Sequence, residues 1–285
     1  MYFLGVTTAQ SSIRKIFPLW SSLAGIQGAT LEGIDIPVGA APAQHRAAVR
    51  AILDDPESAG GLVTTHKVSI FTHARDLFTA FDRDAETLGE VNCIVRRPRV
   101  LEGLATDTLT AGLALRAILG DAPPPPAVLI LGAGGAAVAL AVNLDRHFDV
   151  HNVILTDISA ARIEHVRTLT AARCELVTSR EDHDLLLASM PPGSLIVNAT
   201  GIGKDRPGSP LTPGARFPAR AIAWDFNYRG NLTFLDLARS QDIRAVDGWN
   251  YFLHGWSQVM SRVFGFDLTP VLFEQMVAAA SRMRQ

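Results

Sequence analysis

One stretch of the sequence, residues 127–144, constrains the fold more than any other. It starts with the apolar run Ala127–Leu131, continues with G-A-G-G-A-A at Gly132–Ala137 and ends in residues of helical character. A continuous apolar run is typical of a central strand that is buried on both faces of a parallel sheet. A G-x-G-x-x-A spacing between a strand and a helix is the pattern of a dinucleotide-binding turn. The stretch therefore predicts a Rossmann-type domain.

Each position of this turn has a physical role. Gly132 would allow the tight turn, and Gly134 would let the backbone approach a pyrophosphate. Gly135 and Ala136 lie where the helix begins, so its free amides and positive dipole end would face the phosphates there. Ala137 would permit close packing of the helix on the strand. We therefore predict cofactor contacts at positions 132, 134, 135 and 136.

Two further strand ends belong to the predicted cofactor site. A second strand ends at Asp157, 23 residues after Gly134, where a carboxylate can bind the adenosine ribose hydroxyls. The same carboxylate would repel a 2′-phosphate, which favours NAD over NADP, although Arg162 is close enough in sequence to counter this effect. Asn198 and Thr200 follow a third strand and would line the site, because ligands bind outside the carboxyl ends of parallel strands. The alternative interpretation is a plain tight turn with a helix cap after it.

The chain is long enough for two domains. Its 285 residues exceed what one compact core usually holds, and the four prolines of Pro123–Pro126 indicate a stiff spacer at a domain boundary. The first third alternates apolar runs with helical stretches, including a helix predicted over His66–Phe81, and this alternation favours parallel strand pairing. We predict an α/β fold with two domains: an N-terminal α/β substrate domain over residues 1–108, completed by C-terminal helices over 247–285, and an NAD(P)-binding Rossmann-type domain over 109–246.

Composition excludes several other classes of protein. A formal net charge of -2 gives no basic footprint for nucleic acid. Cys93 and Cys174 lie far apart without metal-type spacing, so we expect free thiols in a reducing compartment and predict no metal site. No window approaches the roughly 18 apolar residues of a membrane span, and no basic segment precedes the apolar start of the chain. We therefore expect a cytoplasmic protein with no nucleic-acid or membrane partner.

Three polar clusters flank predicted strands in the first domain: V-T-T-H-K at Val63–Lys67, G-E-V-N at Gly89–Asn92 and G-L-A-T-D at Gly103–Asp107. In this order and at similar separations they resemble the N-V-T-x-P-x-K, A-V-N-T and G-x-N-T-D segments of the shikimate dehydrogenase family. The turn at Gly132–Ala137 and the D-F-N-Y segment at Asp225–Tyr228 are similar to that family's G-A-G-G-A-A and D-x-x-Y segments. The chain is therefore identified as a divergent member of the shikimate/quinate dehydrogenase family.

The resemblance implies roles for individual residues. Lys67 matches the family's catalytic lysine, and Asp107 matches its partner aspartate. Thr64 and Asn92 match residues that bind the ring hydroxyls of the substrate, and Tyr228 matches a tyrosine near the substrate carboxylate. The resemblance thus implies a substrate that is a small polyol carboxylate.

The sequence departs from the family pattern mainly at substrate contacts. The family opens with H-S-x-S-P, whereas this chain has Q-S-S-I-R at Gln10–Arg14, so Ser11 keeps the first serine and Ile13 replaces the second. The lysine segment is one residue shorter than in the family and lacks its proline. Because a site that hydrogen-bonds specific groups discriminates strongly between analogues, we expect the same reaction class, with room for an altered substrate.

A second departure lies in the C-terminal helices. The family's G-L-x-M-L-V-x-Q segment matches the stretch that begins at Gly248, which the resemblance assigns to the cofactor site. Its last position, a glutamine that touches the substrate, is Gly255 here. His254 and Gln258 are the nearby alternatives, and Gln258 is predicted to contact the substrate.

The proposed pair suits alcohol oxidation on chemical grounds. A side chain that takes the hydroxyl proton while hydride leaves the carbon accelerates the step. Lys67 can take that proton if its pKa is lowered, and as an ammonium it can instead stabilise an alkoxide. Asp107 would orient Lys67, and which of the two is the base stays open. Alternatively, Lys67 is a solvated lysine at a helix start and Asp107 a helix cap, and the adjacent His66 is taken as structural.

The sequence therefore predicts an NAD(P)-dependent dehydrogenase, using NAD or NADP, that reversibly oxidises a ring hydroxyl of a shikimate- or quinate-like hydroxy acid. We expect a monomer or a homodimer. The first alternative is a similarly built dehydrogenase that acts on an unrelated substrate, such as a folate. The second is a cofactor-binding regulatory protein that has no catalytic activity.

Overall fold

The computed structural model describes residues 1–204 and 206–284. The chain divides into two units, Met1–Thr106 together with the residues from Leu253 onward, and Asp107–Phe252. Each unit is built around one six-stranded sheet. The assignment of one unit to substrate and the other to cofactor stays a prediction.

The sheet of the first unit is mixed. Its strands are β1 (Tyr2–Gly5), β2 (Glu32–Asp35), β3 (Gly60–Val63), β4 (Ala80–Phe81), β5 (Cys93–Arg97) and β6 (Val100–Leu104). They lie in the order β2-β1-β3-β5-β6-β4, and β5 runs antiparallel to both of its neighbours. The expectation of parallel pairing is therefore wrong for β5, because the tight connection from β5 to β6 can only join antiparallel strands.

The reversal of β5 brings separate segments of the chain together. Val63 N donates to Asn92 O at 2.8 Å, and Asn92 N donates to Leu104 O at 3.0 Å. The start of β5 thus lies between the ends of β3 and β6. The three polar clusters of the sequence consequently meet at one edge of this sheet.

The helices of the first unit are α1 (Ile13–Leu23), α2 (Pro42–Asp54), α3 (Lys67–Ala74), α4 (Arg83–Leu88) and α11 (Pro270–Ser281). The single helix predicted over His66–Phe81 is wrong. α3 ends at Ala74, a short 3-10 helix follows, and the chain then extends into β4. Thr79 N donates to Leu101 O at 2.8 Å, so pairing with β6 overrides the helical spacing of the apolar residues.

The second unit has a fully parallel sheet. Its strands are β7 (Val128–Leu131), β8 (Val153–Asp157), β9 (Arg173–Leu176), β10 (Leu195–Asn198), β11 (Ile222–Asp225) and β12 (Arg244–Val246). The order is β12-β11-β10-β7-β8-β9. The chain therefore winds outward from β7 in one direction and then from β10 in the other. All four residues of β7 are fully buried, as its unbroken apolar run predicts.

The helices of the second unit are α5 (Asp107–Leu119), α6 (Gly135–His147), α7 (Ala160–Arg167), α8 (Arg180–Ala188) and α9 (Thr233–Arg239), and α10 (Trp249–Phe264) runs from this unit into the first. The proline run Pro123–Pro126 joins α5 to β7 inside the second unit, so it does not mark the boundary between the units. The prediction of an α/β fold with two domains, one of them Rossmann-type, is confirmed. No helix in the described part of the chain is long and apolar enough to cross a membrane.

Candidate active site

The glycine turn joins β7 to α6 at the point where the strand order reverses. Gly132 has a φ of +102°, and a Cβ there would lie 2.9 Å from Ala199 O. Gly134 is the N-cap of α6 with a φ of −74°, and a Cβ there would have no heavy atom within 4 Å. The protein's own backbone therefore requires glycine at position 132. The space beside Gly134 is open to a ligand at the N-terminus of α6.

Asp157 ends β8 beside this turn and is 6% exposed. Its Oδ2 accepts a hydrogen bond from Ala133 N at 2.8 Å, and its Oδ1 accepts one from Ser159 N at 2.9 Å. Arg162 lies in the first turn of α7 with Nη1 3.6 Å from Oδ2 of Asp157. Two backbone amides thus fix the orientation of a carboxylate at the glycine turn, and a mostly exposed arginine faces it.

A cavity of about 300 Å³ opens at this edge of the second sheet. Four of the predicted cofactor residues line it, namely Gly132, Gly134, Asp157 and Thr200. Gly135 and Ala136, in the first turn of α6, are partly exposed beside it. The ligand that this cavity suits has anionic groups for the α6 N-terminus and hydroxyls for a carboxylate.

The cavity also has residues that sequence reasoning did not single out. Ile158 is 77% exposed although it is apolar, and it lines the cavity together with Arg180 and His183. His183 is buried, with Nδ1 3.0 Å from Pro210 O and Nε2 2.9 Å from Thr156 Oγ1. In the sequence, Ile158 is recognisable only as an apolar residue that directly follows the strand-ending Asp157. Arg180 and His183 belong to α8, which has no motif.

The N-terminus of α8 already has a carboxylate of its own. Oδ2 of Asp182 accepts hydrogen bonds from Thr178 N at 2.7 Å and Ser179 N at 3.0 Å, and Ser179 Oγ accepts one from Asp182 N at 3.2 Å. The hydrogen bonds from Thr178, and then those from Ser179, lower the pKa of Asp182. This helix end is therefore less attractive to an external phosphate than the N-terminus of α6.

Asn198, the last residue of β10, organises the turn that follows it. Its Oδ1 accepts hydrogen bonds from Thr200 Oγ1 at 2.7 Å and Thr200 N at 3.2 Å, and its Nδ2 donates to Ile202 O at 3.1 Å. Thr200 Oγ1 in turn accepts a hydrogen bond from Ile202 N at 3.1 Å. The structure thus brings Asn198 and Thr200 together, with Thr200 in the cavity wall and Asn198 beneath it.

Asp225 ends β11 directly beside Asn198 and is fully buried. Its Oδ2 accepts a hydrogen bond from Asn198 Nδ2 at 2.9 Å, and its Oδ1 accepts one from Asn227 N at 2.8 Å. Burial raises the pKa of Asp225 to about 6, although these hydrogen bonds oppose the rise. The sequence pointed to Asp225 only as part of a family segment.

In the first unit, Thr64 follows β3 and is partly exposed. Its Oγ1 donates to Leu4 O at 3.3 Å and would lie 2.8 Å from a Cβ at Gly5. The glycine that ends β1 therefore leaves the room that this hydroxyl occupies. Thr64 Oγ1 keeps lone pairs that can accept a hydrogen bond from a substrate hydroxyl.

Ser11 follows a short 3-10 helix at Thr8–Gln10 and is partly exposed. Arg14, the residue at the family's proline position, donates from Nη1 to Leu31 O at 2.6 Å. That guanidinium is therefore engaged with the unit's own backbone.

Asn92 is buried between β3 and β6, where the reversed β5 places it. Its Oδ1 accepts a hydrogen bond from Thr106 N at 2.7 Å, and its Nδ2 donates to Thr106 Oγ1 at 3.0 Å. Thr106 was not predicted as a site residue. The structure thus makes Asn92 an organiser of the segment that leads into Asp107.

Lys67 and Asp107 begin helices of different units. Lys67 is the first residue of α3 and is partly exposed, and its backbone O accepts a hydrogen bond from Val91 N at 3.1 Å. Asp107 is the first residue of α5, directly after Thr106, and is 5% exposed. Their action as a pair stays a prediction.

His66 has internal contacts, as expected for a structural residue. It is buried, with Nε2 2.8 Å from Ile36 O and Nδ1 3.4 Å from His45 Nε2. Its ring therefore has partners within the first unit.

Tyr228 and Gly248 lie near each other in the second unit. The ring of Tyr228 contacts Trp249 at 5.3 Å and Phe252 at 4.7 Å between centroids. A Cβ at Gly248 would lie 2.0 Å from Phe226 O, so the approach of this backbone requires glycine there. Gly248 thus has a packing reason for its identity, and its role at the cofactor site stays a prediction.

His254, Gly255 and Gln258 lie on the partly buried face of α10. The ring of His254 stacks on Phe273 with centroids 4.4 Å apart, and burial lowers the pKa of His254 to about 4. A neutral ring packed on an aromatic side chain is typical of a core position. Gln258 remains the predicted polar contact of this helix.

Metal chemistry has no evident site in the part of the chain that the structure describes. No group of three or more His, Cys, Asp or Glu side chains there is arranged to hold a metal ion.

Comparison of the sequence with known proteins identifies relatives of this chain. No family model matches the sequence. The shikimate dehydrogenase (NADP(+)) of Methylobacterium radiotolerans is 32% identical over 286 residues, which cover 97% of this chain and 96% of that protein. The shikimate dehydrogenase (NADP(+)) of Streptococcus thermophilus is 34% identical over 181 residues, 60% of this chain and 61% of that protein.

Solved structures share the fold. Shikimate 5-dehydrogenase from Thermus thermophilus, in complex with NADP(H) and shikimate, matches with a TM-score of 0.75 and 24% identity over 99% of this chain and 98% of that chain. Quinate dehydrogenase from Corynebacterium glutamicum, in complex with NAD, matches with a TM-score of 0.72 and 18% identity over 97% of this chain and 98% of that chain. Similarity to a relative along nearly the whole sequence, together with the predicted motifs, leads to one conclusion: the chain belongs to the shikimate/quinate dehydrogenase family.

Proposed function

We propose that this protein is an NAD(P)-dependent dehydrogenase that reversibly oxidises a ring hydroxyl of a shikimate- or quinate-like hydroxy acid. The observation that carries the proposal is the cavity of the second unit, which combines open space at the α6 N-terminus with the buried carboxylate of Asp157. Relatives named as shikimate dehydrogenases support the reaction class.

The residues of this cavity fit a nicotinamide dinucleotide. The amides of Gly134, Gly135 and Ala136 would hold its pyrophosphate, because they begin a helix whose N-cap leaves the space free. Asp157 would accept hydrogen bonds from the adenosine ribose, and the exposed side chain of Ile158 offers an apolar face to the base. When bound, the nicotinamide supplies the hydride acceptor.

We propose that NAD is preferred over NADP. A 2′-phosphate would approach the carboxylate of Asp157, which repels it. Arg162 lies 3.6 Å from that carboxylate, and the N-terminus of α8 is occupied by Asp182. The charge of Arg162 and the positive N-terminus of α8 are therefore already partly neutralised by carboxylates of the protein. Arg180 and Arg206, which also line the cavity, are the positive side chains that would favour NADP instead.

Lys67 and Asp107 are proposed to move the proton of the reacting hydroxyl. Lys67 would receive it as an amine or stabilise the alkoxide as an ammonium, and Asp107 would hold the lysine in position. The backbone of Lys67 is bonded to Val91, and Asn92 is bonded to Thr106, next to Asp107. This framework would keep both residues in defined backbone positions.

The substrate is proposed to be a small polyol carboxylate that contacts Ser11, Thr64, Asn92, Tyr228 and Gln258. Ile13 and Gly255 stand where the family has polar contacts. A ring acid with a different hydroxyl pattern from shikimate would suit these changes, because lost hydrogen-bond partners penalise the original pattern most.

Steady-state assays test the proposed reaction. Initial rates with shikimate and quinate, each with NAD and NADP, should give dinucleotide reduction, with a higher kcat/KM for NAD. Absence of turnover with every hydroxy acid, despite dinucleotide binding, would favour a regulatory protein instead.

The proposed roles of Lys67 and Asp107 make a separate prediction. Lys67→Ala and Asp107→Asn should each lower kcat by about 10²-fold or more, the usual scale of general acid–base catalysis, with the Kd for the dinucleotide unchanged. Lys15→Ala, in the exposed part of α1, is the matched control and should retain full activity. Retention of wild-type kcat by Lys67→Ala would contradict the assignment.

A further inference from the structure

We propose that Asp225 is a positioning residue for the proposed cofactor site, whose ionised carboxylate sets the shape of the Asn198–Gly203 turn and thereby the affinity for dinucleotide. This inference rests on the proposed function, because it assumes that the cavity binds a dinucleotide. Asp225 itself is fully buried beneath the turn. Its effect must therefore pass through the residues that contact it.

The first connection runs through the side chain of Asn198. A carboxylate can only accept hydrogen bonds, so the Asn198 group 2.9 Å from Asp225 Oδ2 must be the amide nitrogen. The amide oxygen consequently faces Thr200, where it accepts from both N and Oγ1. The charge on Asp225 thus acts together with Thr200 N and Ile202 O to fix which way the Asn198 amide points.

The second connection runs through Asn227. Its backbone N donates to Asp225 Oδ1 at 2.8 Å, while its Nδ2 donates to Ile202 O at 3.1 Å. Asn198 Nδ2 donates to the same Ile202 carbonyl. Two side chains anchored on one carboxylate therefore hold the far end of the turn, and both Thr200 and Ile202 line the cavity.

Protonation of Asp225 would weaken this constraint on Asn198. A carboxylic acid has an O–H donor and one fewer acceptor site for the N–H groups of Asn198 and Asn227 that now converge on it. The Asn198 amide would then be held less firmly, because only Thr200 N and Ile202 O would still require its present orientation. Burial, together with the nearby charge of Asp247, raises the pKa of Asp225 to about 6. Dinucleotide affinity should therefore be high above pH 6 and fall below it.

The test is direct binding of NAD, measured by calorimetry between pH 5 and 8 without substrate. NAD is the probe because the 2′-phosphate of NADP titrates in the same range. The Kd of the wild type should rise about tenfold from pH 7.5 to pH 5, the loss expected of one charge-assisted hydrogen bond. Asp225→Asn should bind more weakly at pH 7.5 and show no such dependence.

Three further variants separate this effect from others. Asp236→Asn, an exposed aspartate of α9, should keep the wild-type profile. His183→Gln changes a residue of the cavity wall, so its Kd is compared only with itself across the pH range. Its Kd should still rise from pH 7.5 to pH 5, which excludes titration of this histidine as the cause. Asn227→Ala keeps its backbone donor but loses its side-chain hydrogen bonds to Ile202 and to Asp225. It should weaken binding several-fold at pH 7.5 and move the dependence on pH to higher pH, because the side-chain bond that is lost lowers the pKa of Asp225 in the wild type.

Each outcome decides one of the two proposals. If the wild type binds neither NAD nor NADP at millimolar concentration, the proposed function fails. If it binds NAD with a Kd that is flat across this range, or if Asp225→Asn binds as the wild type does, only the role of Asp225 is overturned. The wild-type profile and Asn227→Ala decide the matter even if Asp225→Asn does not fold.

Discussion

Two glycines of one motif have different physical reasons for being glycine. The sequence predicted both Gly132 and Gly134 from their spacing after an apolar strand. The structure adds that Gly132 has a positive φ and lies against Ala199, whereas Gly134 has an ordinary φ and open space. That difference depends on the position of a residue 67 places along the chain from Gly132. The local sequence therefore predicted the turn, but not the physical reason why each of the two positions is glycine.

Alanine at these two positions should separate folding from binding. Gly132→Ala should lower the free energy of unfolding by about 2 kcal/mol, because an L side chain is strained at that φ and meets backbone. Gly134→Ala should leave thermal stability unchanged and weaken binding of NAD, because its Cβ would enter the open space at the α6 N-terminus. Thermal unfolding and calorimetry of both variants check this, and equal loss of stability in the two would contradict it.

At the scale of elements, prediction succeeded where local signals were strong. The stretch that forms β7, the glycine turn and α6 has an apolar run, glycines and a helical pattern in direct succession. β4, by contrast, is two residues long, and pairing with β6 defines it. The direction of β5 likewise follows from its neighbours and not from its own residues. Consequently the three polar clusters were recognised, but the reason they meet at one edge of the sheet was not.

α2 and α3 contact each other through a chain of three histidines. Ile36 O can only accept a hydrogen bond, so His66 Nε2 bears a proton and His66 Nδ1 accepts from His45 Nε2. His45 Nδ1 then accepts from His73 Nδ1 at 3.4 Å. An added proton on His45 would place an N–H donor on Nδ1 opposite the donor of His73, so that two donors would face each other.

This arrangement predicts loss of stability in acid. Burial, and then the charges of His66 and His73, lower the pKa of His45 below 6.5. A hydrogen bond to the backbone carbonyl of Ala41 opposes this shift without cancelling it. Because the unfolded chain binds the proton more readily, the contribution to stability is complete above about pH 6.5 and declines as the pH falls. Urea unfolding at pH 7.5 and pH 5.5 should show a smaller acid loss for His45→Gln than for the wild type. The control is His151→Gln, a 92% exposed histidine, and an unchanged acid loss in His45→Gln would refute the prediction.

At the scale of the whole molecule, the first unit is assembled from both ends of the sequence. Trp20 Nε1 in α1 donates to Met276 O in α11 at 2.8 Å, across 256 residues of chain. The sequence predicted that C-terminal helices complete the first domain, but not which helix of that domain they contact. Composition and periodicity do not reveal which helix covers which, because an apolar face fits many partners.

Two buried tryptophans allow this contact to be measured. Trp20→Phe and Trp224→Phe remove similar volumes from fully buried sites, one in each unit. No acceptor in the described part of the chain lies within reach of Trp224 Nε1, whereas Trp20 has one. Trp20→Phe should therefore cost about 1 kcal/mol more, the net value of a buried hydrogen bond. Chemical unfolding with each unit's transition fitted separately measures both, and a larger cost for Trp224→Phe would contradict this.

The discontinuity of the first unit also sets an order of events during translation. Residues 107–252 leave the ribosome before α11, which follows them in the chain. Until that helix clears the exit tunnel, Trp20 in α1 lacks the acceptor that Met276 provides, although all six strands β1 to β6 have already emerged. The middle of the gene product is thus free to fold first, and the segment made earliest is among the last to be completed.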